Sequence, residues 1–88
     1  MRKTLCIIVL LAASNGWAMD VPDADSAAAK LFASRCSVCH ALPHPKRLDW
    51  PHWQQMLRTM HQRMTEKGMA MLDGEWRQIA TYLKQHAR

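Results

Sequence analysis

The chain has 88 residues, enough for one small domain, and it carries a formal net charge of +5 at pH 7. No basic stripe with interleaved aromatic residues accompanies this charge, so the sequence does not favour nucleic-acid binding. No apolar run approaches the ~20 residues that a bilayer-spanning helix requires, so we expect no stable membrane insertion.

Residues 1–18 have the pattern of a cleaved secretory signal peptide. A basic start precedes the apolar run Leu5–Ala13, and the small residues Gly16 and Ala18 precede a cleavage point after Ala18. The apolar run is about half the length that a membrane anchor needs. We therefore expect a single domain, residues 19–88, that is exported to the periplasm.

The first helix of the mature chain is expected over Ser26–Arg35. Asp23 or Asp25 is placed to cap it by accepting hydrogen bonds from its free backbone N–H groups. The helix leads into a cysteine-containing segment, and the prolines of Leu42–Pro45 end it because each lacks an N–H and disfavours helix in the residue before it.

The cysteine-containing segment reads C-x-x-C-H, which is the attachment signature of a c-type haem. One helical turn can present both thiols to the two vinyl groups of one porphyrin, and the adjacent histidine can bind the iron. The same dithiol also serves zinc sites and thioredoxin-like centres, but no second cysteine pair and no βαβ pattern is present. We expect one covalently bound haem c, with Cys36 and Cys39 as attachment residues and His40 as an iron ligand.

Two further helices are predicted after this segment. The second is expected over Trp50–Lys67, with Asp49 as its N-cap and Gly68 at its end. The third is expected over Gly74–His86, with Asp73 as its N-cap. No strand pattern is visible in the sequence.

The second helix carries an apolar stripe rich in methionine, formed by Trp53, Met56, Leu57, Met60 and Met64. Such a stripe is usually core filler, but a haem iron held by one histidine also needs a sixth ligand. Met60 lies near the middle of the stripe, so we expect it to bind the iron. Met64, one turn further, and Met69 and Met71, in the loop before the last helix, remain alternatives.

These features resemble the class I cytochrome c family. Phe32 lies four residues before Cys36, where that family has an aromatic residue on its N-terminal helix, and Ala28 lies one turn earlier, where a small residue allows close helix crossing. Ile79 and Tyr82 match the apolar and aromatic positions of the C-terminal helix that crosses it. The resemblance implies an all-α, compact cytochrome c-like fold of three main helices around one covalently bound haem.

The resemblance also bears on both iron ligands. The chain lacks a Met-Pro pair before the last helix, and it is more similar to a compact subgroup that includes the small cytochrome subunit of nitric oxide reductases, through the pattern Trp53-x3-Leu57-x2-Met60. In that subgroup the methionine at this position is the distal ligand, which implies Met60. In the wider family a proline carbonyl accepts a hydrogen bond from the ligand histidine, which implies Pro43 or, preferably, Pro45 as the partner of His40.

The expected function is that of a periplasmic monohaem cytochrome that shuttles single electrons between redox partner proteins and is not an enzyme. The alternative is a haem-based ligand-binding or enzymatic domain with an open or labile sixth position, although no acid–base pair for such chemistry stands out. The following basic residues are expected to form a solvated face that can dock an acidic redox partner: Lys30, Arg35, Lys46, Arg47, Arg58 and Arg63.

Overall fold

The computed structural model describes residues 21–88, so the expected signal peptide lies outside the described part of the chain. This part contains helices and no strand, which confirms the all-α prediction. The elements, in chain order, are α1 (Ala27–Cys36), a short 3-10 helix (Pro45–Arg47), α2 (Trp50–Glu66) and α3 (Asp73–His86). Between residues 21 and 88, no helix is both long and apolar enough to cross a membrane.

Helix α1 begins after Ser26, which is its N-cap. The Ser26 hydroxyl accepts a hydrogen bond from the Ala29 N–H at 3.1 Å, and the backbone of Ser26 is extended, as an N-cap requires. The prediction that Asp23 or Asp25 caps this helix is therefore wrong. Asp23 instead lies in the preceding turn at a φ of 50°, where its carbonyl accepts a hydrogen bond from the Ser26 N–H at 2.8 Å.

Helix α2 begins and ends almost where the sequence predicts. Asp49 is its N-cap, as expected, and the carboxylate accepts a hydrogen bond from the His52 N–H at 3.0 Å. The helix ends at Glu66, and Gly68 follows at a φ of +74°, which is the left-handed conformation that glycine adopts most readily.

Helix α3 begins one residue earlier than predicted, and its N-cap is Leu72 rather than Asp73. The Leu72 N–H donates a hydrogen bond to the Glu75 carboxylate at 3.2 Å. Asp73 lies in the first turn of the helix, where its negative charge interacts favourably with the positive end of the helix dipole.

The core forms where α1, α2 and α3 meet. Phe32 of α1 and Ile79 of α3 are fully buried, and the ring centroids of Phe32 and Tyr82 lie 5.5 Å apart. Trp53 of α2 packs edge-on against Phe32, with centroids 6.4 Å apart and an interplanar angle of 86°. The packing between α1 and α3 that Phe32, Ile79 and Tyr82 predict is therefore present.

Two hydrogen bonds tie other segments of the chain to α3 and to Arg88, which lies two residues after the end of α3. The Tyr82 hydroxyl donates to the Pro22 carbonyl at 2.7 Å, which holds the segment before α1 against this helix. The Arg88 N–H donates to the Leu48 carbonyl at 3.1 Å, which fixes the end of the chain beside the start of α2. These hydrogen bonds hold the segments that precede α1 and α2 close to α3 and to the residues after it.

Candidate cofactor cleft

A cleft of about 830 Å³ lies between the C-x-x-C-H segment and one face of α2. This volume falls in the range of roughly 300–1,000 Å³ that is typical of small-molecule and cofactor sites. One wall is the motif itself, with Cys36, Val38, Cys39, His40 and Ala41. Another part of the lining comes from these residues of α2: His52, Trp53, Met56, Thr59, Met60 and Met64.

The two thiols of the motif are presented by different kinds of backbone. Cys36 is the last residue of α1, whereas Cys39 follows in a bend, so the expectation that one helical turn presents both is wrong. The Ser37 hydroxyl donates a hydrogen bond to the Ala33 carbonyl at 2.6 Å, which occupies a carbonyl at the end of the helix. Both thiols are free, and both line the cleft.

The two thiols also differ in their exposure. Cys36 is buried, and burial raises the pKa of its thiol to about 11, whereas Cys39 is exposed. At neutral pH the Cys36 sulfur is therefore protonated.

His40 lies at the cleft with its ring exposed. Its Nδ1 is 2.9 Å from the Ala41 carbonyl, and with Nδ1 protonated this contact is a hydrogen bond that leaves the lone pair on Nε2. The expectation that His40 donates to a proline carbonyl is wrong for Pro43 and for the preferred acceptor, the Pro45 carbonyl. That carbonyl accepts a hydrogen bond from the Trp53 indole N–H at 2.7 Å, deep in the core.

The methionines of α2 form one wall of the cleft. Met56, Met60 and Met64 follow each other at intervals of four residues, so they lie on one face of the helix, and all three line the cleft. Met69 joins them from the loop after Gly68. Met60, Met64 and Met69 are half-buried, and Met56 is 42% exposed.

Of the four methionines considered as iron ligands, the structure therefore brings Met60, Met64 and Met69 to the cleft. Met71 packs against the hydrophobic core and does not line the cleft. The predicted ligand Met60 lines the same cleft as the motif, in the middle of the row of α2 methionines.

The cleft is bordered by positive charge. Four basic side chains contribute to its lining: Arg35, Arg47, Arg63 and Lys67. The Arg35 guanidinium also pairs with the Glu75 carboxylate at 3.0 Å, and this hydrogen bond is the main reason why the pKa of Glu75 is lowered. A cleft with an apolar interior and basic residues along it suits a ligand with an apolar body and anionic groups.

His52 also lines the cleft, although it is not among the residues predicted to hold the cofactor. Its Nδ1 lies 2.6 Å from an Asp49 carboxylate oxygen, which also accepts the His52 backbone N–H. These two contacts, the backbone one first, lower the pKa of Asp49. The only sequence signal is the three-residue spacing between an N-cap aspartate and a histidine, which brings the two side chains together in the first helical turn.

The groups along the cleft that could bind a metal are mainly thiols, imidazoles and thioethers. Within residues 21–88, no group of three or more His, Cys, Asp or Glu side chains is placed to hold a metal ion. The case for a function therefore rests on the cleft itself, because no protein-family model, curated protein or solved structure matches this chain.

Proposed function

We propose that this chain is a monohaem c-type cytochrome that carries single electrons. Cys36 and Cys39 hold the haem c through thioether bonds, and His40 and Met60 are the two axial ligands of its iron. The observation that carries the proposal is the cleft, which the C-x-x-C-H segment and the methionine face of α2 line together.

The residues of the cleft fit this group. Its volume of about 830 Å³ and its largely apolar walls suit a porphyrin, and its basic residues suit two propionates. Trp53, only 1% exposed, closes the cleft toward the core. The hydrogen bond from its indole N–H to the Pro45 carbonyl holds the indole in place, so this side of the site excludes water.

The side chains around the iron site have separate roles. The hydrogen bond between His40 and the Ala41 carbonyl fixes the tautomer of the ring and leaves Nε2 free to bind a metal. A methionine thioether as the second ligand favours the reduced iron and raises the potential relative to two histidines. When bound, the haem supplies one-electron chemistry at its iron.

If His40 and Met60 both held the iron of a bound haem, no position at the iron would be open to a substrate. This arrangement favours a carrier over an enzyme or a gas-binding domain. The finer fold assignment, a compact cytochrome c-like fold, belongs to the same proposal, and the contact between Phe32 and Tyr82 where α1 packs on α3 supports it. Export to the periplasm and acidic redox partners complete the proposal.

The test is expression with export in a bacterial host that attaches c-type haem. The intact mass should exceed the mass of the mature polypeptide by one haem, and acid–acetone should not extract the colour. The matched control is Cys36→Ala with Cys39→Ala, which should yield no covalent haem.

A coloured wild-type protein whose two thiols still react with a thiol reagent would refute covalent attachment. Visible spectra with and without carbon monoxide then separate the two kinds of haem site. If the sixth position of the iron is filled, the protein should resist binding carbon monoxide. Ready binding of carbon monoxide would instead favour a ligand-binding or enzymatic domain over an electron carrier.

A further inference from the structure

Two half-buried thioethers lie next to each other on the cleft wall, although the iron needs only one. Met60 and Met64 are separated by about 6 Å along the axis of α2 and lie on the same face. Both side chains are partly shielded from water, whereas Met56, one turn before Met60, is 42% exposed. The structure thus places a second half-buried thioether beside the one proposed to bind the iron.

The direction of helical side chains distinguishes Met64 from Met56. In an α-helix the Cα–Cβ bond tilts toward the N-terminus, so each side chain covers the surface over the preceding turn. The Met64 side chain therefore already leans toward the position of Met60. The Met56 side chain leans away from that position and would have to reverse its direction to reach it.

The backbone at Met64 is also fixed. Its carbonyl accepts hydrogen bonds from the Lys67 N–H at 3.2 Å and from the Met69 N–H at 2.8 Å, which hold the last turn of α2 closed before Gly68. Any adjustment at this position is therefore made by the side chain. Methionine suits such an adjustment because it is unbranched and has three rotatable side-chain bonds.

We infer that Met64 is a reserve distal ligand, whose sulfur occupies the sixth iron position when the Met60 thioether is lost. The inference rests on the proposed haem function and deepens it. The cleft wall then protects the six-coordinate state against loss or oxidation of one methionine, and the protein continues to exclude small ligands from the iron.

The experiment compares holoproteins that carry Met60→Ala, Met64→Ala and both changes. The Met–Fe(III) charge-transfer band should be unchanged in Met64→Ala, shifted but present in Met60→Ala, and absent in the double variant. The matched control is Met56→Ala combined with Met60→Ala, which removes an equal side chain from the same wall and should keep the shifted band. Met60→Val repeats the test with less loss of packing if the alanine variant is unstable.

Carbon monoxide binding gives an independent measure of how often Met64 occupies the sixth iron position in Met60→Ala. If Met64 occupies the iron about nine-tenths of the time in Met60→Ala, the ferrous protein should bind carbon monoxide about tenfold more weakly than the double variant, because apparent affinity scales with the fraction of open sites. Equal affinities together with a missing band in Met60→Ala would overturn the inference. So would a band lost in Met64→Ala alone, which would make Met64 the native ligand. A wild type without covalent haem would refute the proposed function instead.

Discussion

Replacement of Trp53 by phenylalanine exchanges one aromatic side chain for another, yet it should destabilise the protein substantially. The indole N–H donates to the Pro45 carbonyl at 2.7 Å, and both residues are buried. Phenylalanine leaves that carbonyl without its donor, which costs about 1–3 kcal/mol for a buried group. At the centre of this range, about 2 kcal/mol, the melting temperature of a domain of this size should fall by roughly 8–16 °C.

Thermal unfolding of the haem-loaded protein, followed by far-ultraviolet circular dichroism, measures this shift. The matched control is Trp76→Phe, which makes the same change at a half-buried tryptophan whose ring contacts His61 at 4.7 Å between centroids. We expect the control to shift the transition much less. If Trp53→Phe lowers the melting temperature no more than Trp76→Phe does, the hydrogen bond to Pro45 does not contribute as argued.

Two further outcomes follow from the same structure. The double variant Cys36→Ala with Cys39→Ala should be largely unfolded by circular dichroism. Short helices are only marginally stable alone, and this variant would lack the proposed haem that covers their apolar faces. A cooperative thermal transition in the variant would contradict this expectation. The pKa of Glu75 is lowered in the folded protein, mainly because its carboxylate accepts a hydrogen bond from Arg35. This interaction stabilises the fold at pH values above the unfolded-state pKa of about 4.3. The stabilisation is lost as the pH falls through the lower pKa of the folded state. As the pH falls from about 5 to 3, the stability of Glu75→Gln should therefore decrease less than that of the wild type.

The helices could be predicted from the sequence because each one carries local signals. The bounds of α2 were predicted to within one residue of its observed end. The signals are Asp49, which precedes Pro51 at the start of the helix, and Gly68, which follows the apolar stripe. The start of α1 was harder, since three residues with capping side chains stand close together. Ser26 caps the helix because Asp23 is already committed to the turn before it.

The site was predictable to the extent that it depends on spacing. The C-x-x-C-H segment is contiguous, and the 100° period of a helix places Met60 and Met64 on one face, where the structure has them. The hydrogen bond between Trp53 and Pro45 was not predictable. It depends on a 3-10 helix where the sequence predicts a loop, and on how that element packs against α3 within reach of the Trp53 side chain.

The small core predicts that cofactor binding and folding are coupled in the proposed holoprotein. Helices α1 and α3 bury side chains against each other, whereas α2 contributes only two buried side chains, Trp53 and Leu57. The methionine face of α2 and the exposed Val38 border the cleft, so a porphyrin placed there would remove further apolar surface from water. A group that binds the folded chain and not the unfolded one stabilises the fold, and a covalent one cannot be lost by dilution. The same two walls that ligate the iron would then hold α2 against the rest of the protein, so a variant that opens the sixth position should also loosen α2.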